Sequence, residues 1–332
     1  MRDPAFWWRP AGLAAGLLAP LGAIYGAVAG ARMAKPGRGA GVPVVCVGNL
    51  TLGGAGKTPA AILVAQILTE AGRKAFVLSR GYGGTLAGPV RVEPERHRAA
   101  EVGDEPLLLA RMAPTIVARD RGAGAEAARA AGAAAIVMDD GFQSPNLHKD
   151  ISILVVDGRR GIGNARVFPA GPLRAPLYAQ LQRAGAVLVI GQGTAGDAAG
   201  RLALARGLPV FHGRLEPDGE TLSALRSKPV LAFAGIGDPE KFFATLADAG
   251  LDVRARVSFP DHHRFSREEA DSLVRRATRE GLVPLTTEKD MARLSGDPGA
   301  TVLAGTAEVL PVRLVVTEQS EFRDLILRAV GA

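Results

Sequence analysis

The stretch "VPVVCVGNLTLGGAGKTP" (residues 42–59) places a glycine-rich loop between an apolar run and a helical segment. The run 42–48 is short, rich in valine and ended by glycine, which predicts a buried strand. The segment "PAAILVAQILTEAG" (59–72) has Pro59 in its first turn and Gly72 just past its end, which predicts a helix. A strand, a glycine-rich loop and a helix in this order are typical of a phosphate-binding loop.

The loop departs from the strict phosphate-binding pattern at one position. That pattern has Gly, four residues and then Gly-Lys-Ser/Thr, whereas this chain has Thr51 in place of the first glycine. Glycines let backbone N–H groups surround phosphate oxygens, and the start of a helix adds its positive dipole end. The lysine reaches the β- and γ-phosphates, and the threonine hydroxyl ligates Mg²⁺. We therefore predict a nucleotide-binding loop rather than a structural turn, formed by Thr51, Gly53, Gly54, Ala55, Gly56, Lys57 and Thr58.

An acidic pair, Asp139 and Asp140, ends the apolar run in "AAAIVMDDGFQ" (133–143). Nucleotide loops of this type need a carboxylate at a strand end that holds Mg²⁺ directly or through water. The alternative is a surface pair that caps a turn, but the loop described above favours a metal site. We predict Thr58, Asp139 and Asp140 as metal ligands, without ranking the two aspartates. Gln143 is predicted to contact the nucleotide or a metal-bound water.

Apolar runs and helical segments alternate along the chain from residue 40 onward, which predicts a parallel sheet covered on both faces. A second strand, turn and helix begin in "SKPVLAFAGIGDPEKFFATLADAG" (227–250). We predict an α/β protein with an N-terminal hydrophobic helix over 1–35, a P-loop α/β/α domain over 36–225 and a smaller α/β/α domain over 226–332. The further strands of the first domain are predicted at 74–79, 114–119, 134–140, 151–158, 186–191 and 208–213.

The composition indicates a globular protein with a basic surface. The chain has 332 residues, of which 47% are hydrophobic and 22% charged, and its net charge is +7. A positive charge suggests nucleic acid, an anionic membrane or phosphorylated substrates as partners. Nucleic acid is the weakest choice, because aromatic residues make up only 5% and do not alternate with basic ones. The single cysteine, Cys46, excludes an internal disulfide and is predicted to be a buried thiol.

The N-terminal segment is the most apolar part of the chain, because residues 11–30 carry no charge. Twenty apolar residues are about the length that spans a bilayer, although Pro20 interrupts them. A cleaved signal peptide would export an ATP-binding domain, and a buried core helix is the other alternative. We favour a helix that lies in or dips into the inner leaflet of a membrane, and we leave open whether it spans. This interpretation rests on aromatic and basic flanks, namely Phe6, Trp7, Trp8, Tyr25, Arg32, Lys35 and Arg38.

Two familiar classes of P-loop protein do not fit the sequence. GTPases carry an Asn-Lys-x-Asp motif that reads the base, and the nearest stretch, "TTEKD" (286–290), lacks that spacing. Membrane-associated partitioning ATPases have a signature lysine within the loop, where this chain has Leu52. The sequence therefore favours neither GTP nor a partitioning ATPase.

The motifs together resemble the tetraacyldisaccharide 4′-kinases (lipid A 4′-kinases), whose loop also has threonine where the strict pattern has glycine. This resemblance implies transfer of phosphate from ATP, with Mg²⁺, to the 4′-hydroxyl of a tetraacyldisaccharide 1-phosphate. It also implies a late step of lipid A synthesis at the cytoplasmic face of a bacterial inner membrane, and two α/β/α domains with the active site in their cleft. The matching pieces run in order along most of the chain: "VPVVCVGNLTLGGAGKTP", "LSRGYGG", "VGDEPLLLA", "VMDDGFQ", "DISILVVDG", "GNARVFPAGPLRAP", "AGIGDPEKFF", "FPDHHRF" and "TTEKDMARL".

The resemblance also implies catalytic residues. Asp104 in "VGDEP" matches the proposed base of the family, although its position alone would suggest an ordinary first-turn acid of a helix. His262 in "FPDHHRF" matches the histidine that supports the base, with His263 as the alternative because adjacent side chains face different ways. One departure is Ser144, where the family usually has histidine after glutamine, so no role is assigned to that side chain.

The 1-phosphate of such a substrate needs cationic partners, and arginine suits bidentate phosphate recognition. The candidates for substrate contact are Arg80, Tyr82, Arg119, Arg121 and Arg174, with Tyr82 packing against a sugar ring. Each arginine taken singly is more often a solvated or structural residue.

Two other functions remain to be weighed against the kinase. A membrane-associated P-loop NTPase switch would hydrolyse ATP without a lipid acceptor, and a nucleotide-binding scaffold would bind ATP without turnover. Leu52 in the loop and the joint presence of "VGDEP" and "FPDHH" favour the kinase. The expected partners are the lipid substrate and a membrane surface, with no nucleic acid and no obligatory protein partner.

Overall fold

The computed structural model describes residues 3–331, which form one mainly parallel and one parallel sheet with helices on their faces. In chain order the strands are β1 (Val44–Asn49), β2 (Ala75–Ser79), β3 (Val90–Arg91), β4 (Thr115–Val117), β5 (Ala135–Asp139), β6 (Ile151–Asp157), β7 (Ala186–Ile190), β8 (Val210–Pro217), β9 (Val230–Ala234), β10 (Val253–Ser258), β11 (Val283–Thr287), β12 (Glu308–Leu310) and β13 (Val312–Val316). The helices are α1 (Leu13–Met33), α2 (Lys57–Glu70), α3 (Ala99–Val102), α4 (Asp104–Met112), α5 (Arg121–Ala130), α6 (Leu177–Leu181), α7 (Thr194–Leu204), α8 (Gly219–Leu225), α9 (Pro239–Asp248), α10 (Arg267–Glu280), α11 (Glu288–Leu294), α12 (Thr301–Thr306) and α13 (Gln319–Ala329), preceded by a 3₁₀ turn (Ala5–Trp8).

The large sheet has nine strands in the order β13-β8-β7-β6-β1-β5-β2-β4-β3. Its seven central strands are parallel, and the short β3 and the last strand β13 close the edges in the antiparallel direction. Every residue of β1, β2, β5, β6 and β7 is buried, as expected for apolar strands covered on both faces. The strands that follow β1 up to β5 lie on one side of it, and β6 to β8 lie on its other side. The direction in which strands are added therefore reverses at β1. Ligands of open parallel sheets bind at such a switch point, outside the carboxyl ends of the strands.

The small sheet has four parallel strands in the order β10-β9-β11-β12. One face packs on α10, α11 and α12 around Phe233 and Leu303, and the other packs on α9 around Phe243 and Leu246. Each sheet with its helices is an α/β/α unit, as the alternation of apolar runs and helical segments predicts. The predicted α/β fold class is confirmed.

The end of the chain leaves the small sheet and returns to the large one, which differs from the prediction of one unit over 226–332. Strand β13 pairs antiparallel with β8, from Val312 opposite Pro217 to Val316 opposite Gly213. Helix α13 then buries Phe322 and other apolar side chains in the core beneath α2. The sequence pattern shows the apolar face of α13, but that face fits either sheet, and only the pairing of β13 decides between them.

Helix α1 lies on the surface of the large domain and exposes most of its apolar side chains. Leu13 and Leu17 are 90% and 82% exposed, and the buried positions are small residues such as Gly22 and Gly26. Within residues 3–331, α1 is the one helix that is long and apolar enough to cross a membrane. The alternative of a buried core helix does not fit this exposure. Cys46, by contrast, is buried as predicted, and burial raises the pKa of its thiol to about 12.

We predict that Phe322→Ala lowers the free energy of unfolding by about 3–5 kcal/mol, because it leaves a cavity where α13 meets the large domain. Asp324→Ala changes a position of the same helix outside that core and is expected to stay within about 0.5 kcal/mol of the wild type. Urea unfolding followed by circular dichroism measures both. Equal stability of the two variants would contradict the assignment of α13 to the large domain.

Candidate active site

The glycine-rich loop connects the central strand β1 to helix α2 at the switch point of the large sheet. Gly53 and Gly56 have φ angles of 95° and 90°, a left-handed conformation that glycine adopts without strain. A Cβ atom at Gly56 would also lie only 2.9 Å from Cδ1 of Ile190, so a larger residue would have to displace the end of that side chain. The first turn of α2 buries Lys57 and Thr58 beneath the loop, where burial lowers the pKa of Lys57. The backbone N–H groups at this helix start are therefore available to an anion.

The two predicted metal ligands at the end of β5 differ in their surroundings. Asp139 is 1% exposed, and within residues 3–331 its Oδ1 has no hydrogen-bond partner. Burial, together with the charges of Glu105 and Asp140, raises the pKa of Asp139 to about 7. Burial alone would raise the pKa of Asp140 as well, but the charges of Lys57 and Arg174 outweigh it and hold that pKa below its usual range.

The geometry around Asp140 explains that difference. Its carboxylate lies 3.0 Å from Arg174 and 3.8 Å from Lys57, and its backbone has a positive φ of 47°. A buried carboxylate oxygen without a partner, an ionised neighbour and the Thr58 hydroxyl suit a hard divalent cation such as Mg²⁺. The residues present therefore fit the predicted metal.

Asp104 begins α4 directly after Gly103 and is 4% exposed. Its Oδ2 accepts hydrogen bonds from Arg293 of the small domain, at 2.8 Å from Nε, and lies 3.4 Å from Nδ1 of His262. Burial alone would raise the pKa of Asp104, but the hydrogen bond from His262 and the charge of Arg293 hold it well below its usual range. The carboxylate is thus ionised at neutral pH and shared by two groups of the other domain.

The two adjacent histidines face different surroundings, as their spacing predicts. His262, at a positive φ of 56°, points to Asp104, and this contact raises its pKa despite partial burial. His263 instead lies 2.9 Å from Glu269 and stacks on Phe259 inside the small domain. The geometry places His262, and not His263, at the cleft.

Sequence reasoning missed the residues of α11 that complete this contact. Arg293 donates to Asp104, to the carbonyl of Gly235 at 2.6 Å and to Asp290 at 2.8 Å. Lys289, one turn earlier, lies 2.5 Å from Glu105 next to Asp104. In the sequence, the segment "TTEKDMARL" served only as a family motif. The signal that could have identified Lys289 and Arg293 is their spacing of four residues, which places both on one helix face.

The candidates for substrate contact separate into two groups. Arg121 is 3% exposed and donates to the carbonyls of Leu78 and Asp139, which is a structural position and does not fit the predicted substrate contact. Arg174 is also engaged internally, with Thr51 and Asp140. Gln143, predicted to contact the nucleotide or a metal-bound water, donates to the carbonyl of Asn49.

The second group lies at the surface near the cleft. Tyr82 is 71% exposed, and its ring centroid lies 5.3 Å from that of His262. Arg80 is exposed just after β2, and the exposed Arg119 reaches the carbonyls of Gly84 and Thr85. These three side chains therefore remain accessible to a ligand at the edge that carries His262.

Comparison with known proteins gives consistent matches along the whole chain. Residues 14–331 match the tetraacyldisaccharide-1-P 4′-kinase family (LpxK). The chain is 52% identical over 332 residues to the tetraacyldisaccharide 4′-kinase of Rhodopseudomonas palustris (strain BisA53), covering 100% of the chain and 97% of the relative. It is 59% identical over 317 residues to that of Methylobacterium sp. (strain 4-46), covering 95% and 93%. The crystal structure of LpxK from Aquifex aeolicus in complex with ATP is similar with a TM-score of 0.73 and 26% identity, covering 96% of this chain and 100% of that one.

We predict that His262 titrates above 6.5, its ordinary value, and that Asp104→Asn lowers its pKa by removing the carboxylate that favours the protonated ring. Because the folded-state pKa is raised, the stabilisation from this pair is complete below 6.5 and is lost as the pH rises through the folded-state pKa. NMR titration of ¹⁵N-histidine-labelled protein measures the shift. The His263 signal is the internal control, and an unchanged His262 pKa in the variant would contradict the contact.

Proposed function

We propose that in this chain, which belongs to the tetraacyldisaccharide-1-phosphate 4′-kinase family, Asp104 accepts the proton of the attacking 4′-hydroxyl with the support of His262. It is an ATP-dependent kinase of lipid A biosynthesis that uses Mg²⁺ and phosphorylates a tetraacylated disaccharide. The family, activity and cofactors predicted from the motifs are thereby confirmed. The roles of individual residues are our proposal.

The observation that carries this proposal is the buried Asp104 carboxylate, which both domains share beside the phosphate loop. Glu105, the next residue, influences the pKa of Lys57 and of Asp139, so the first turn of α4 faces the nucleotide-binding side of the large domain. A sugar hydroxyl is a poor nucleophile near neutral pH and needs a positioned acceptor for its proton. Asp104 is the ionised group in this cleft that His262 also contacts.

The proposed step is an in-line transfer. The 4′-oxygen forms a bond to the γ-phosphorus of ATP, the bond between that phosphorus and the bridging oxygen breaks, and ADP leaves. The hydroxyl proton passes to Asp104, and His262 orients the carboxylate through its 3.4 Å contact. Arg293 keeps the carboxylate ionised until transfer, because its charge favours the deprotonated form.

The P-loop residues hold the phosphates in this mechanism. Lys57 pairs with the β- and γ-phosphates, and the N–H groups from Gly53 to Thr58 surround their oxygens. Asp139, Asp140 and Thr58 would hold Mg²⁺, which neutralises charge on the phosphate oxygens when bound. Arg80, Arg119 and Tyr82 are proposed to contact the disaccharide 1-phosphate, because they are exposed on the His262 side of the cleft.

We further propose that α1 attaches the enzyme to the cytoplasmic face of the inner membrane. Its exposed face is apolar, with Leu17 and Val28 among the exposed side chains, and Arg32 and Lys35 follow at its C-terminal end. Basic residues beside an apolar helix are favoured next to anionic lipid. A lipid substrate with four acyl chains would then meet the cleft without leaving the bilayer.

We predict that Asp104→Ala and Lys57→Ala each lower transfer of phosphate to tetraacyldisaccharide 1-phosphate by about 10²-fold or more, because they remove the proton acceptor and the phosphate-binding charge. The assay follows label from γ-labelled ATP into lipid in detergent with Mg²⁺. Glu95→Ala, an exposed carboxylate away from the cleft, is the control and is expected to match the wild type. ATP hydrolysis by the wild type without any lipid product would favour the NTPase switch instead.

We predict that replacing Leu17, Leu21 and Val28 by glutamine lowers recovery with anionic phospholipid vesicles by about tenfold or more, since three exposed apolar side chains no longer enter the membrane. Kinase activity in detergent should persist, because these side chains face away from the protein. Leu202→Gln changes an exposed leucine on α7 and is the control. The measurement is flotation of the protein with the vesicles in a density gradient. If the triple variant floats as well as the wild type, α1 is not the segment that attaches the protein to the membrane.

A further inference from the structure

The motif "GNARVFPAGPLRAP" (163–176) contributes Arg174 to the site, but the rest of it has no assigned role. Its residues 164–176, here called the bridging segment, form a compact turn closed by backbone hydrogen bonds between Phe168 and Leu173 and between Leu173 and Arg166, each of 3.0 Å. The side chain of Asn164 braces the turn from within by donating to the carbonyl of Ala170. This segment lies between the N-terminal region and the phosphate loop, and it contacts both.

One side of the bridging segment supports helix α1. A Cβ atom at Gly22 would lie 2.8 Å from the carbonyl oxygen of Val167, and one at Gly26 would lie 3.5 Å from Pro176. The close approach at Gly22 therefore requires a glycine, whereas the contact at Gly26 is of ordinary van der Waals length. The preceding 3₁₀ turn is attached as well, because the indole N–H of the buried Trp7 donates to the carbonyl of Pro169 at 3.1 Å.

The other side of the bridging segment holds the phosphate loop by its backbone. The N–H of Leu52 donates to the carbonyl of Pro172 at 2.8 Å, and the N–H of Arg174 donates to the carbonyl of Leu50 at 2.9 Å. The Arg174 side chain then reaches Thr51 at 2.9 Å and Asp140 at 3.0 Å. Three consecutive loop residues and one predicted metal ligand are thus fixed by one segment.

We propose that the bridging segment positions the phosphate loop according to how α1 is seated, so that the membrane helix is a positioning element of the nucleotide site and not only an anchor. Gly22, Gly26 and Trp7 are the positioning residues, and they act through Val167, Pro169 and Pro176 on residues 50–52. The bridging segment is one continuous stretch of chain that contacts α1 and the 3₁₀ turn on one side and the phosphate loop on the other. A displacement of α1 therefore moves the loop that binds phosphate. The inference rests on the nucleotide site proposed above.

The test compares Gly22→Leu with Gly16→Leu. Both variants add the same side chain to α1, but a Cβ atom at position 16 would have no neighbour within 4 Å, whereas one at position 22 would meet a backbone carbonyl. The readouts are the dissociation constant of mant-ATP and hydrogen–deuterium exchange of residues 50–58, both in detergent without membrane. We expect Gly22→Leu to weaken mant-ATP binding by on the order of tenfold and to speed exchange in the loop, with Gly16→Leu unchanged.

A milder variant, Trp7→Phe, removes the hydrogen bond to Pro169 and keeps an aromatic ring. It tests the proposal independently if Gly22→Leu has a folding defect. It is expected to shift both readouts in the same direction by a smaller factor, while circular dichroism shows the protein to be folded at the assay temperature. Loop exchange and mant-ATP binding equal to the wild type in Trp7→Phe and in a folded Gly22→Leu would overturn the proposal. If Gly22→Leu does not fold, an unchanged Trp7→Phe overturns it alone. Lipid phosphorylation enters neither readout, so failure of the proposed transfer chemistry would be seen separately.

Discussion

The ion pair between Asp104 and Arg293 joins the two domains of this protein at the proposed active site. Both side chains are almost fully buried, and removing two charges from water costs several kcal/mol unless their remaining hydrogen bonds are satisfied. They are satisfied here, because Arg293 also donates to Gly235 and Asp290, and Asp290 in turn accepts from the N–H of Gly235 and from Thr287. The start of α4 therefore has one favourable position relative to α11, and that position brings His262 to the carboxylate.

The contacts between the domains are unequal across the cleft. On the α11 side, the buried Asp104–Arg293 pair lies beside the pair of Lys289 and Glu105. On the α9 side, Lys241 lies 2.9 Å from Asp157, which is only 10% exposed, and Arg160 reaches Asp238 at 3.4 Å with both side chains 27% exposed. Exposed pairs contribute about 0–1 kcal/mol, whereas breaking a buried one costs about 3–5 kcal/mol. The most buried ion pair between the domains therefore lies at Asp104, the proposed proton acceptor.

Short segments of sequence were enough to predict those parts of the molecule that depend on local patterns. The β1–loop–α2 unit and Asp139 at the end of β5 belong to this class, because apolar strands, glycines and a helix start carry their own signals. The six strands predicted between 74 and 213 lie within a few residues of their predicted positions for the same reason, although β8 continues four residues past its predicted end and the two-residue edge strand β3 was not predicted. The resemblance to a family supplied Asp104 and His262, whose positions alone did not distinguish them from ordinary turn residues.

What the sequence did not show depends on contacts between distant segments. Arg121 and Arg293 are both arginines on helices, yet strand carbonyls enclose one and the other crosses the cleft. The spacing of Lys289 and Arg293 indicates a basic face of α11, but it does not show which carboxylates that face meets. The same holds for β13, which pairs with a strand about 100 residues earlier rather than with the sheet it directly follows. Residue type alone marked five candidates for the substrate, whereas burial and internal hydrogen bonds reduce them to the three that a ligand can reach. Residues of the same chemical type thus differ in what they can bind, because the tertiary structure buries some of them and exposes others.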